Sequence, residues 1–254
     1  MSAENSNGSI EIQTDNKIAT ITFSHPASNS FPSVLLQKLT AELNAISKNT
    51  EVNVVILQSE GPTFCAGASF DELLSIKSLA SGKKFFSGFA DVINAMRKCS
   101  KIIIAKVQGK AVGGGVGLIA ACDFAFAYQD AAVKLSEIAI GIGPFVIEPA
   151  VSRKIGKNAM AEMSLQPNVW QTADWAVAKG LYADLFDSMA EVNQATRNLA
   201  EKLASYNPEA LAEMKKVFWE GTEHWDKLLY ERAAISGKLI LSDFSKEALR
   251  QFKK

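Results

Sequence analysis

The 254-residue sequence is 48% hydrophobic, enough to close one sizeable core and too apolar for an intrinsically disordered chain. Lysine plus arginine number 27, as do aspartate plus glutamate, so there is no excess basic field to draw a nucleic acid, although a local basic pocket for a nucleotide would be hidden in that sum. Three cysteines, Cys65, Cys99 and Cys122, lack a disulfide framework and fit a reducing, cytosolic compartment, and neither a membrane-spanning apolar run nor a signal-peptide pattern is found.

Alternating stretches on either side of Asp15-Asn16, from Ile10 to Phe23, predict a β-hairpin. Leu35, Leu36, Leu39, Leu43 and Ile46 recur at helical spacing, and the compact apolar run at 52–57 reads as a buried strand. The order then repeats: a helix over about 83–97, a strand over 101–107, a glycine-rich turn, a helix ending at Cys122 and a strand over 123–128. Strands separated by helices predict parallel pairing within an α/β core. From about 187 the strand signal stops and three amphipathic helical stretches follow, with a break at Asn207-Pro208. The expected organisation is therefore an α/β core over 1–186 and a helical region over 187–254, without a constant-period sequence repeat.

Two turns carry chemistry. FCAGASF at 64–70 links a strand to the helical DELLSIKSL segment, and small residues around Gly67 let a ligand reach the main chain. QGKAVGGGVGLIAACD at 108–123 again places backbone N–H donors at a helix start, although tight helix-to-sheet packing explains an isolated glycine triplet as well. The lysine and hydroxyl of a phosphate loop are absent, and the glycine spacing is not that of a dinucleotide fingerprint.

Together with KLSEIAIGIGP and WQTADWAVAKGL, these segments resemble, in order and over nearly the whole chain, the crotonase superfamily of enoyl-CoA hydratases and isomerases. The resemblance implies a spiral of ββα units with a helical C-terminal region used for trimerisation, as a homotrimer or a dimer of trimers. It implies an acyl-CoA substrate, coenzyme A being part of that substrate and no separate cofactor or metal being required. The N–H groups of Ala68 and Gly114 would then form an oxyanion hole for the thioester oxygen. Main-chain atoms from Ala66 through Asp71, including Ser69 and Phe70, would contact the bent CoA, with Gly114 beside the thioester. Ser69 stands where the family commonly has aspartate.

Hydratases of the superfamily commonly use two glutamates. Glu137 matches the second, and Gly117 takes the place of the first. One carboxylate suits an isomerase that shuttles a proton between carbons, yet it can also serve both steps of a hydration. Finer resemblance ranks hydration first: GGGVGLIAACD and SEIAIGIGPFVIEPAVSRKIG resemble the bacterial methylglutaconyl-CoA hydratases of leucine and isovalerate breakdown, which share the glycine. A non-catalytic acyl-CoA binder and a carrier-linked decarboxylase or dehydratase are the remaining readings. Glu148 is a candidate second carboxylate, with a solvent-facing helix position the plainer expectation. His25 and His224 lack ligand-like or triad-like neighbourhoods. Cys65, Cys122 and Trp219 read as packing residues, and the Phe252–Lys254 ending reads as a tail with the option of touching CoA in a neighbouring subunit.

Overall fold

The computed structural model describes residues 8–252, without the side chain of Phe252. Strands β1 (Ser9–Asp15) and β2 (Ile18–Ser24) form the expected hairpin. Its two turn residues, Asn16 and Lys17, both have positive φ, the geometry whose twist matches a two-residue hairpin. Helix α1 (Ser33–Lys48) follows, burying the five apolar residues whose spacing predicts it.

The chain then repeats a strand, a very short strand and a helix. The first round is β3 (Val54–Ser59), β4 (Thr63–Cys65), α2 (Phe70–Ser75) and α3 (Leu79–Lys98). The second is β5 (Ile102–Val107), β6 (Lys110–Val112) and α4 (Gly114–Ala121). The third is β7 (Phe124–Tyr128), β8 (Val133–Lys134), a 3-10 turn over Glu137–Ile140 and α5 (Glu148–Leu165), which breaks at Gly156. The longer strands and the short β9 (Asp184–Phe186) join a six-stranded sheet in the order β1-β2-β3-β5-β7-β9, parallel apart from the β1–β2 hairpin. The short strands form a second, all-parallel sheet in the order β4-β6-β8. This is the spiral of ββα turns implied by the resemblance.

Because β3 and β5 are covered on both faces, they are nearly continuous apolar runs. Val55, Leu57, Ile103 and Ala105 point into the main core with α1 and α3, while Val54, Ile56, Ile102 and Ile104 form a second cluster with Ala200 and Ala204. The latter belong to α7 (Met189–Ala204), which follows α6 (Ala173–Ala178) and β9 (Asp184–Phe186). Helix α8 (Pro208–Phe218) begins at the expected break, with Asn207 accepting from the Glu209 N–H at 2.9 Å and Pro208 in the first turn. Helices α9 (Trp225–Leu239) and α10 (Asp243–Phe252) complete the described chain. Helix α9 lies against α3 at two glycines, where a Cβ on Gly82 would stand 2.7 Å from the Gly237 carbonyl oxygen.

Three segments differ from expectation, one of them being α10, a fourth helix after about 187 where three were expected. The loop at 64–70 begins inside β4, because three residues are too few to carry a strand periodicity. The helical segment expected over DELLSIKSL stops at Ser75, and the helix expected from about 83 starts earlier, at Leu79, because Ser78 and Ser81 form a reciprocal capping box there.

Candidate functional site

The small parallel sheet positions the site. Cys65 pairs with Ala111, and Ala111 and Val112 pair with Val133 and Lys134, so three strands end side by side. The residues that leave their carboxyl ends, Ala66–Ala68, Gly113–Gly114 and Ser136–Glu137, therefore converge, as ligand sites of parallel sheets do. A hydrogen bond from the Gly113 N–H to the Lys134 carbonyl at 2.9 Å extends the second pairing into the site. Gly67, at φ +85°, brings the first loop so close that a Cβ on it would stand 2.8 Å from the Val112 carbonyl oxygen.

The cavity at this convergence has a volume of about 70 Å³. Ala66, Ala68, Phe70, Gly114 and Glu137 all line it; Ser69 and Asp71 do not. Ser69 is buried and its hydroxyl caps α2, accepting from the Glu72 N–H at 3.4 Å. Asp71 is exposed in the first turn of that helix.

Neighbouring amides are spoken for: the Ala66 N–H donates to the Ser28 carbonyl, the Gly67 N–H to Cys65 Sγ and the Ser69 N–H to the Phe31 carbonyl. No such partner is found among the described residues for the N–H of Ala68 or of Gly114. The latter is the first residue of α4, whose cap, Gly113, offers no side chain. A helix start without a capping oxygen presents donors and the positive end of the helix dipole to whatever occupies the cavity.

Glu137 opens the 3-10 turn, and its carboxylate lies over Gly113, where a Cβ would stand 2.7 Å from Oε1. Gly113 also has φ +53°, so glycine is needed twice over. Glu137 as a residue is half-buried, but its Oε2 is buried with no hydrogen-bond partner among the described residues. Burial pushes the carboxyl up to about 7, against a smaller opposing effect of its own backbone N–H.

Among the described residues no second carboxylate lines this cavity. A Cβ on Gly117 would stand 2.7 Å from Ile147 Cβ and closer still to its Cγ2, so a buried isoleucine fills that place. Glu148, half-buried at the start of α5, accepts the Ser152 hydroxyl at 2.6 Å and lines a neighbouring cavity instead.

Much of the remaining wall comes from Leu73, Phe86, Phe89, Phe145, Ile147 and Ser236, which reach the cavity from α2, α3, the segment before α5 and α9. Nothing in the local sequence marked these residues, since each is an ordinary helix or loop position until the fold joins them.

The other candidates fall outside the cavity. Burial pushes the thiols of Cys65 and Cys122 up to about 12, which keeps them protonated and non-nucleophilic near neutrality. His25 Nδ1 accepts the Ala27 N–H at 3.2 Å within a turn, and His224 precedes α9. Trp219 is buried, with its indole N–H donating to Asp123 Oδ1 at 3.0 Å. Lys253, Lys254 and the side chain of Phe252 lie outside the described residues.

A family model described as enoyl-CoA hydratase/isomerase matches residues 13–253. The chain belongs to this family. Among curated members, 2,3-dehydroadipyl-CoA hydratase of Escherichia coli is 29% identical over 214 residues, 84% of this chain and 82% of its own. The peroxisomal Delta(3,5)-Delta(2,4)-dienoyl-CoA isomerase of Arabidopsis thaliana is 26% identical over 223 residues, 82% of this chain and 79% of its own. A crystal structure of an enoyl-CoA hydratase from Mycobacterium avium superposes with a TM-score of 0.85 at 25% identity, covering 96% of this chain and 95% of that one. The enoyl-CoA hydratase/isomerase family thus supplies the crotonase fold and a substrate class, acyl-CoA thioesters, while the relatives include both hydratases and isomerases.

Proposed function

We propose that the chain hydrates a short, branched 2-enoyl-CoA of the 3-methylglutaconyl kind. The observation that carries this reading is the Glu137 carboxylate, buried, with an unpartnered oxygen and a pKa near 7, in one cavity wall with the free N–H groups of Ala68 and Gly114. A group of that pKa is present in both protonation states near neutrality, which is what a lone acid/base needs. Glu137 takes a proton from water as the oxygen bonds to the β-carbon, the double-bond electrons pass to the thioester oxygen, and the carboxyl returns a proton to the α-carbon. The two N–H groups hold the enolate oxygen; removing one such donor costs about 3–4 kcal/mol in comparable acyl chemistry. Main-chain atoms of Ala66 through Asp71 hold the CoA.

A second reading, isomerisation of a 3-enoyl-CoA to a 2-enoyl-CoA, is favoured by the Gly117–Ile147 contact, which leaves one carboxylate to do everything. The test incubates the protein and Glu137→Ala with 3-methylglutaconyl-CoA, crotonyl-CoA and a 3-enoyl-CoA. Loss of conjugated-thioester absorbance with a gain in mass of one water, abolished in the variant, supports hydration. Gain of absorbance from the 3-enoyl substrate at constant mass supports isomerisation instead. No reaction with any of the three moves the weight to an acyl-CoA binder or a carrier-linked enzyme.

A homotrimer or a dimer of trimers completes the proposal. Exposed Met214, Val217 and Phe218 on α8, Ile235 on α9 and Phe244 on α10 supply apolar surface for it, and sedimentation analysis decides it.

A further inference from the structure

A second cavity of about 670 Å³ adjoins the first. Ile142, Gly143, Pro144 and Phe145 line both, so the partition between them is a single stretch of chain. The Phe145 ring folds over Gly143, where a Cβ would stand 2.6 Å from its Cζ. Helix α9 also serves both: Ser236 faces the first cavity, and Arg232 and Leu239, four residues before it and three after on the same helical stripe, face the second.

We propose that the second cavity receives the distal end of the acyl group and that Arg232 there recognises a terminal carboxylate, so that the preferred substrates are thioesters of dicarboxylic acids. The proposal rests on the acyl-CoA reading of the first cavity and names its substrate class. The first cavity, at about 70 Å³, has roughly half the volume of one that takes a benzene ring, so an acyl group longer than its reacting carbons must extend beyond it. The second has ample room, and its charged lining is Glu148, Lys157 and Arg232. Glu148 is held by Ser152. Neither Arg232 nor Lys157 has an ion pair or side-chain hydrogen bond among the described residues. Arg232 is half-buried, while Lys157 is exposed. A guanidinium in that setting offers a planar pair of donors matched to a carboxylate, where an ammonium offers only a point charge.

The test compares crotonyl-CoA with glutaconyl-CoA, which adds a terminal carboxylate to the same enoyl thioester. Wild type is expected to favour glutaconyl-CoA in kcat/KM, and the ratio of the two kcat/KM values is expected to fall about 10- to 100-fold in Arg232→Met, the range for losing a charge-assisted pair. A ratio unchanged in Arg232→Met overturns the proposal; because the ratio is internal to each preparation, a partly unfolded variant does not mimic the effect. If neither thioester is turned over, the hydration reading fails by itself. The cavity is then read by calorimetric affinities for glutaryl-CoA and butyryl-CoA, where the same Arg232-dependent preference is expected and its absence is equally decisive.

Discussion

Ile147 stands where any side chain on Gly117 would have to go. The single-carboxylate site is therefore a packing arrangement of two positions, one on α4 and one just before α5, rather than the loss of one residue. Gly117→Glu alone is expected to overpack the core by about 1–3 kcal/mol. Pairing it with Ile147→Ala opens the space and is expected to return part of that stability, which urea unfolding measures. A double variant less stable than Gly117→Glu would show that the two side chains do not compete.

The raised pKa of Glu137 makes stability depend on pH. Below about 4.5 the carboxyl is protonated in both the folded and the unfolded chain, and its burial costs no ionisation. As pH rises from there the unfolded chain ionises first, so stability is lost progressively up to about 7, where the loss levels off near roughly 3 kcal/mol. Glu137→Gln is expected to remove this contribution, narrowing the difference in unfolding free energy between about pH 5 and about pH 8. An identical difference in both proteins would place the carboxylate in water.

Turnover is expected to follow the same ionisation in the opposite sense. The base form is needed first, so kcat/KM should rise with pH through about 7 and then level off. Glu137→Gln is expected to lose about 10²- to 10⁴-fold in kcat, with thioester binding retained. A pH–rate profile flat across neutrality contradicts the assignment.

Gly113→Ala tests how the carboxylate is placed. The new methyl would require positive φ and would press on Glu137 Oε1, so the carboxylate must move. Expected is a loss of kcat of at least about tenfold, in line with small displacements of a reacting group, and an apparent pKa displaced from about 7. Wild-type kinetics in this variant would show that the contact does not position Glu137.

Asp123 is the other buried carboxylate with a part to play, and its part is architectural. It accepts from Lys215 Nζ at 2.9 Å, from the Ile103 N–H at 2.8 Å and from the Trp219 indole, tying α8 to the central strands. Lys215→Met removes the direct ion-pair partner of that carboxylate, leaving Lys154, whose Nζ donates to the Asp123 carbonyl at 2.9 Å, and is expected to cost about 1–3 kcal/mol, read as a lower urea midpoint. The buried pair is 2% and 5% exposed, so salt should change the result little.

Elements with many residues of one period were legible in the sequence. The five leucine and isoleucine positions of α1, the apolar runs of β3 and β5 and the Asn207-Pro208 break lie where their spacing predicts. The second sheet was not legible, because β4, β6 and β8 have three, three and two residues, less than any periodicity needs. Yet those strands bring Ala68, Gly114 and Glu137 together. Motif order could name the residues, but it could not reveal Ile147 against Gly117 or Arg232 beside the site, since both meetings depend on long-range packing.

Where α3 and α9 meet at Gly82 and Gly237, backbone touches backbone. Side chains at a helix contact can repack and let one helix slip along the other; two bare backbones cannot. That contact works as a fixed stop, holding Ser236 and Arg232 at set depths, so substitutions along α9 can retune what the enzyme accepts without moving the helix that presents them.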